Sequence, residues 1–143
     1  MERGALGFVT LSLVAMGVYG VFAILLRSAL KSIPVEPVLI ATNLTLVIVA
    51  TVWALVRGVS LTGGFGWDRP TLYVALGGLL LSVSAISLYT AMSRGPVSTV
   101  LPIFAMNFAV AAVLGFIVLH EPLSATRIAG VALGTVAVVL LTR

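Results

Sequence analysis

The stretch ALGFVTLSLVAMGVYGVFAILL, residues 5–26, contains no charged side chain and is followed by Arg27 and Lys31. At about 1.5 Å of rise per residue, a helix of this length crosses the ~30 Å hydrocarbon core of a bilayer. A removable secretory leader is the competing reading. It is disfavoured because the apolar run is too long, the preceding Glu2-Arg3 is weakly basic, and basic residues follow it.

The rest of the chain has the same character. Hydrophobic residues make up 61% of the sequence and charged residues 8%, with a mean hydropathy of +1.26. Eight basic and four acidic residues cannot furnish the charged exterior of a water-soluble domain, so the exterior faces lipid. There is no cysteine, which excludes disulfides, thiolate metal sites and cysteine nucleophiles. The net charge of +4 comes from basic residues set singly at helix ends. They suit lipid-headgroup anchors and give no stripe for nucleic acid.

Working outward, Pro34 and Pro37 bracket Glu36 in a short connection, and Pro37 is expected as the first residue of a second helix running to about Val56, closed by Arg57-Gly58. The longest loop, Gly58 to Pro70, is glycine-rich and holds Trp67 and Asp68. It lacks the Gly-Lys-Ser/Thr ending of a phosphate-binding loop, and its tryptophan suits the membrane interface. A third helix is expected over about Thr71 to Met92. Ser93-Arg94-Gly95-Pro96 makes a tight turn into a fourth, about Val97 to Leu119. His120-Glu121-Pro122 turns into a fifth, about Leu123 to Leu141, whose uninterrupted apolar part starts only at Ile128, so Arg127 must snorkel to the headgroups. The expected fold class is an all-α membrane protein of five transmembrane helices forming a single domain over residues 1–143.

Five crossings put the termini on opposite sides. Arg3, Arg57, Arg69 and Arg127 then lie on the amino-terminal side, and Arg27, Lys31, Arg94 and Arg143 on the other. Because the Lys/Arg bias sets orientation, this balance points to insertion in both orientations, unless the Arg27/Lys31 cluster dominates.

Three segments carry a resemblance. Leu25-Leu26-Arg27-Ser28-Ala29-Leu30-Lys31 ahead of a proline-bearing turn, Tyr89-Thr90-Ala91-Met92-Ser93-Arg94-Gly95-Pro96-Val97-Ser98, and Gly115-Phe116-Ile117-Val118-Leu119-His120-Glu121-Pro122-Leu123-Ser124 with Ile128-Ala129-Gly130 beyond it are similar to the junctions of one EamA-like repeat. That repeat is typical of the drug/metabolite transporter superfamily. Members with ten helices hold two such repeats of inverted topology around a midplane site. The resemblance therefore implies an antiparallel homodimer in the cytoplasmic membrane of a prokaryote, carrying a small-molecule substrate without a cofactor. Gly130 and Gly134 form a small-xxx-small pattern suited either to the dimer seam or to packing within the chain.

A polar site in lipid must be built from inward-facing groups. Asn107 sits halfway along the fourth helix and is the first candidate, with an interhelical bond as the alternative. The family often has an acidic residue at that position, so cation recognition and proton coupling there are in doubt. Pro102 frees the carbonyl of Ser98, which a substrate, a hydroxyl or water can take up. Asn43, with Thr42, suits a cavity entrance, although hydrogen bonding within the bundle is the simpler role for Thr42. Tyr19 and Tyr89 offer aromatic faces and hydroxyls, Tyr89 equally an interface anchor. Ser84 and Ser87 share a face of the third helix but commonly bond their own backbone. Glu36, Asp68 and Glu121 fall in connections, and His120 beside Glu121 is far short of a metal set or catalytic triad, so no enzyme chemistry is expected. The expected function is a small secondary transporter working by alternating access as a homodimer. The alternative is a partnered or non-transporting subunit of a transporter or flippase.

Overall fold

The computed structural model of the chain describes residues 2–120 and 124–141, and the side chains of all of these except 2–6, 119 and 127. Every element among the described residues is helical: α1 (Glu2–Ala29), α2 (Val35–Val56), α3 (Arg69–Arg94), α4 (Val97–Ala105), α5 (Asn107–Leu119) and α6 (Ala125–Leu141). Among the described residues four stretches are long and apolar enough to cross a membrane: Gly7–Ala29, Val35–Val56, Arg69–Arg94 and, across α4 and α5, Val97–Val118. Their mean hydropathies run from 1.9 to 2.3. The apolar part of α6, Ile128–Leu141, is shorter, roughly 21 Å at 1.5 Å per residue.

Helix ends differ from the sequence expectation where charged residues stay helical at headgroup depth. Helix α1 continues through Arg27 to Ala29, and α3 spans Arg69 to Arg94. Helix α2 begins two residues before Pro37, with Pro34 as its N-cap; at Pro37 the missing amide is one that a first turn leaves unbonded anyway. Its far end closes as expected. Gly58 adopts φ +66°, its amide bonds the Leu55 carbonyl at 3.0 Å and the Val59 amide that of Ala54 at 3.0 Å, the paired bonds of a Schellman cap. Asp68 caps α3 by accepting from the Thr71 amide at 3.1 Å. The expected start of the last helix at Leu123 lies outside the described residues.

The fourth crossing differs most. It was expected as one helix but is interrupted at Met106 (φ −62°, ψ −7°), where the Met106 amide bonds Ile103 and the Ala109 amide bonds Met106, each three residues back. This tighter turn follows Pro102, which cannot donate to the Ser98 carbonyl.

The chain divides between Ser93 and Arg94 into two compact units. In the first, the buried residues are Ala23, Leu26, Leu30, Val38, Leu88, Tyr89 and Met92. They come from the end of α1 and the turn after it, the start of α2 and the end of α3. In consecutive crossings these ends share one membrane face, so the unit is closed at that face. Towards the opposite face the helices present apolar side chains such as Leu11, Leu46, Val49, Leu79 and Leu80, each more than half exposed. In the second unit α6 packs against both α4 and α5. A Cβ placed on Gly134 would come within 2.5 Å of the Phe108 ring, so the missing side chain permits this approach. His120 ends α5 in the left-handed conformation (φ 53°).

Candidate functional site

Two hydroxyl-bearing residues of the first unit meet across helices, and a third, Tyr19, lies on the remaining helix of that unit. Thr42 of α2 and Tyr89 of α3 join through their hydroxyl oxygens at 2.9 Å. Thr42 also reaches the carbonyls of Val38 at 2.9 Å and Leu39 at 3.1 Å. Its single hydrogen serves those carbonyls, so its oxygen accepts from Tyr89. Tyr19 of α1 stacks at a tilt on Phe22 of its own helix, ring centroids 5.6 Å apart. Along the helix axes Tyr19 lies roughly 15 Å, Thr42 roughly 10 Å and Tyr89 roughly 8 Å from the closed face, at 1.5 Å per residue. The layer thus reaches from headgroup depth toward the membrane midplane.

Below it, Arg27 donates through Nη1 to the backbone carbonyl of Met92, a residue with no exposed surface. Because α3 ends at Arg94, that carbonyl is among those left without a helical partner, and Arg27 caps it from another helix.

The other sequence candidates of the first unit do not join this layer. Asn43 is exposed, and its Nδ2 donates to the Leu39 carbonyl of its own helix at 2.8 Å. Ser84 is exposed, as is Ser87, which bonds the Val83 carbonyl at 2.8 Å. Tyr89 is only 6% exposed, so it is a bonded core residue of this chain and not an interface anchor. In the second unit Ser98 lies exposed in the first turn of α4, Pro102 is half-buried, and Asn107 opens α5 with its side chain exposed and no hydrogen bond to the described residues. Gly130 faces open space, whereas Gly134 is occupied by Phe108 of the same chain.

The sequence reading gives Thr42 hydrogen bonding within the bundle, and its partner Tyr89 lies 47 residues away; it misses Arg27, read as a headgroup anchor, whose acceptor lies 65 residues away along the chain. The available signal was a hydroxyl and a guanidinium, each on an otherwise apolar helix.

Among the described residues no three His, Asp or Glu side chains gather as a metal would require. Outside the helices' apolar stretches, Asp68 is held below the usual carboxylate range by bonds from Thr71, chiefly its side chain and then its amide.

The arrangement is polar contacts between apolar helices, with no salt bridge among the described residues, and the whole of it falls within a single family signature. The family model for EamA-like transporters matches residues 6–143. The chain belongs to the EamA-like transporter family. Membership makes this an integral membrane protein whose function is membrane transport or closely related to it. No curated protein and no solved structure matches the chain. The described residues of this EamA-like chain include four stretches of crossing length and a shorter apolar α6.

Proposed function

We propose that this EamA-like chain is a small secondary transporter that moves a small metabolite or organic compound by alternating access, and that two copies of opposite orientation make the working unit in a prokaryotic cytoplasmic membrane. The observation that carries the reading is Asn107. It lies ten residues into the fourth crossing, roughly 15 Å deep at 1.5 Å per residue, with an exposed amide that no described residue bonds. An amide turned to hydrocarbon without a partner is unfavourable by at least about 1–3 kcal/mol. Such a group belongs beside a polar cavity or a second chain.

Supporting features point the same way. The break at Met106 follows Pro102, and interrupted helices at midplane depth are where transporters of inverted repeats bind their cargo. With α6 as a fifth crossing, Lys and Arg fall four on each side of the bilayer, which favours dual insertion. Gly130 is open, and a second copy can approach there. In the first unit Tyr19, Thr42 and Tyr89 offer neutral hydrogen-bonding groups to the cargo, with Asn43, Ser84 and Ser87 as further candidates; in the second unit the candidate beside Asn107 and Pro102 is Ser98.

The test is transport by the purified chain alone in liposomes, using a radiolabelled panel of neutral amino acids, nucleosides, sugars and organic ions. The expectation is uptake of at least one member, lowered about tenfold or more in Asn107→Leu and partly retained in Asn107→Gln. Unchanged uptake in Asn107→Leu would remove the residue from the site. Uptake that appears only when a related chain is added would make this a partnered subunit.

A further inference from the structure

Among charged residues whose side chains are described, Arg27 alone is drawn in from the surface; Lys31, Glu36, Arg57, Asp68, Arg69, Arg94 and His120 are all exposed. Its guanidinium spends one N–H group on the Met92 carbonyl. No ion pair or further hydrogen bond from the described residues takes up the others, and Glu36, though it lies in the first turn of α2 at the same membrane face, does not pair with it. A guanidinium cannot shed its charge, and a half-buried cation without a counter-ion is unfavourable in a low-dielectric setting.

The bond to Met92 does more than satisfy a carbonyl. It tethers the guanidinium at the end of α3 and leaves most of its donor fork uncommitted. That fork matches the two oxygens of a carboxylate or phosphate. Lys31 follows four residues later at the mouth of the same junction, exposed to the headgroup layer. Tyr89 lies three residues before Met92, so the hydroxyl layer begins less than one helical turn above.

We propose that Arg27 holds an oxyanion, a carboxylate or phosphate group, at the membrane face where α1 and α3 end, with Lys31 adding a second charge on the water side. Two sources share this chemistry: the headgroup phosphate of an anionic phospholipid, and a soluble oxyanion such as one borne by the cargo. The second rests on the transporter reading; the first does not.

The test measures binding without transport. The purified chain in neutral detergent micelles is unfolded thermally with increasing inorganic phosphate, with short-chain phosphatidylglycerol, or with chloride and short-chain phosphatidylcholine as matched controls. The concentration dependence of the midpoint gives each affinity by linkage. Wild type is expected to be stabilised by phosphate, by phosphatidylglycerol or by both, beyond the controls. Protection by inorganic phosphate identifies a soluble oxyanion site, and protection by phosphatidylglycerol only identifies a headgroup site. Arg27→Gln is expected to bind about tenfold or more weakly, Arg27→Lys to lose part of the affinity because it keeps the charge without the fork, and Lys31→Gln to lose about two- to threefold. If Arg27→Gln fails to fold without its cap on α3, Arg27→Lys and Lys31→Gln carry the comparison. The proposal is overturned if neither probe protects wild type beyond its control, or if the Arg27 variants bind as wild type does; Arg27 is then a helix cap only. Failure of the liposome assay leaves this result standing, and the reverse also holds.

Discussion

Removing either partner of the Thr42–Tyr89 hydrogen bond is expected to destabilise the first unit by unequal amounts. Tyr89 is 6% exposed, and its hydroxyl donates to a threonine oxygen whose own hydrogen is already taken by the Val38 or Leu39 carbonyl. In Tyr89→Phe the threonine keeps its backbone partner, so the loss is that of an ordinary interhelical bond in a membrane, about 0.6 kcal/mol. In Thr42→Val, near-isosteric at the site, the tyrosine hydroxyl is left buried without its acceptor, at a cost of about 1–3 kcal/mol. The double variant removes both polar groups and should cost less than the two singles together, by about 1 kcal/mol. Reversible unfolding in mixed micelles, titrated with a denaturing detergent, reads all four proteins. A larger loss in Tyr89→Phe than in Thr42→Val, or a coupling of zero, would refute the donor assignment and the layer built on it.

Two further outcomes follow from local geometry. In Gly134→Ala the new Cβ meets the Phe108 ring at 2.5 Å, whereas at Gly130 nothing lies within 4 Å. The half-exposed ring must swing aside, so Gly134→Ala should lose about 1 kcal/mol in the same unfolding assay and Gly130→Ala should lose nothing or gain up to about 1 kcal/mol of helix propensity; the reverse order would contradict the packing of α6. Asp68 is held below the usual carboxylate range by Thr71, so its contribution to the first turn of α3 is complete above its unfolded pKa and fades as pH falls through its lower folded pKa. Amide exchange at Thr71 and Leu72, corrected for intrinsic rates, should lose protection in that acid window in wild type and show no such step in Asp68→Asn.

The helices themselves were legible because uninterrupted apolar runs of crossing length, closed by Arg, Gly and Pro, leave few alternatives. The cap at Gly58 and the turn at Gly95-Pro96 could be placed to within a residue or two for the same reason. What faced what could not be read. Helices apolar on every side carry no stripe to orient them, so nothing in the sequence distinguished buried Tyr89 from exposed Asn43 and Ser84. The interruption of the fourth crossing was only half visible. Pro102 announces a lost bond at Ser98, but the turn that tightens at Met106 depends on how the backbone relaxes beyond the ring. Arg27 looked like one more headgroup anchor because its acceptor is a backbone carbonyl on another helix, and a carbonyl leaves no mark on a sequence.

A working unit of two copies of opposite orientation requires insertion both ways, and the absence of cysteine makes orientation directly measurable. A cysteine introduced at Ser60, exposed in the loop between α2 and α3, is labelled in intact cells with a membrane-impermeant thiol reagent before and after permeabilisation. About half of the copies are expected to react before permeabilisation, as dual insertion requires. Labelling confined to one side would contradict the inverted homodimer and leave a parallel assembly or a separate partner chain in its place.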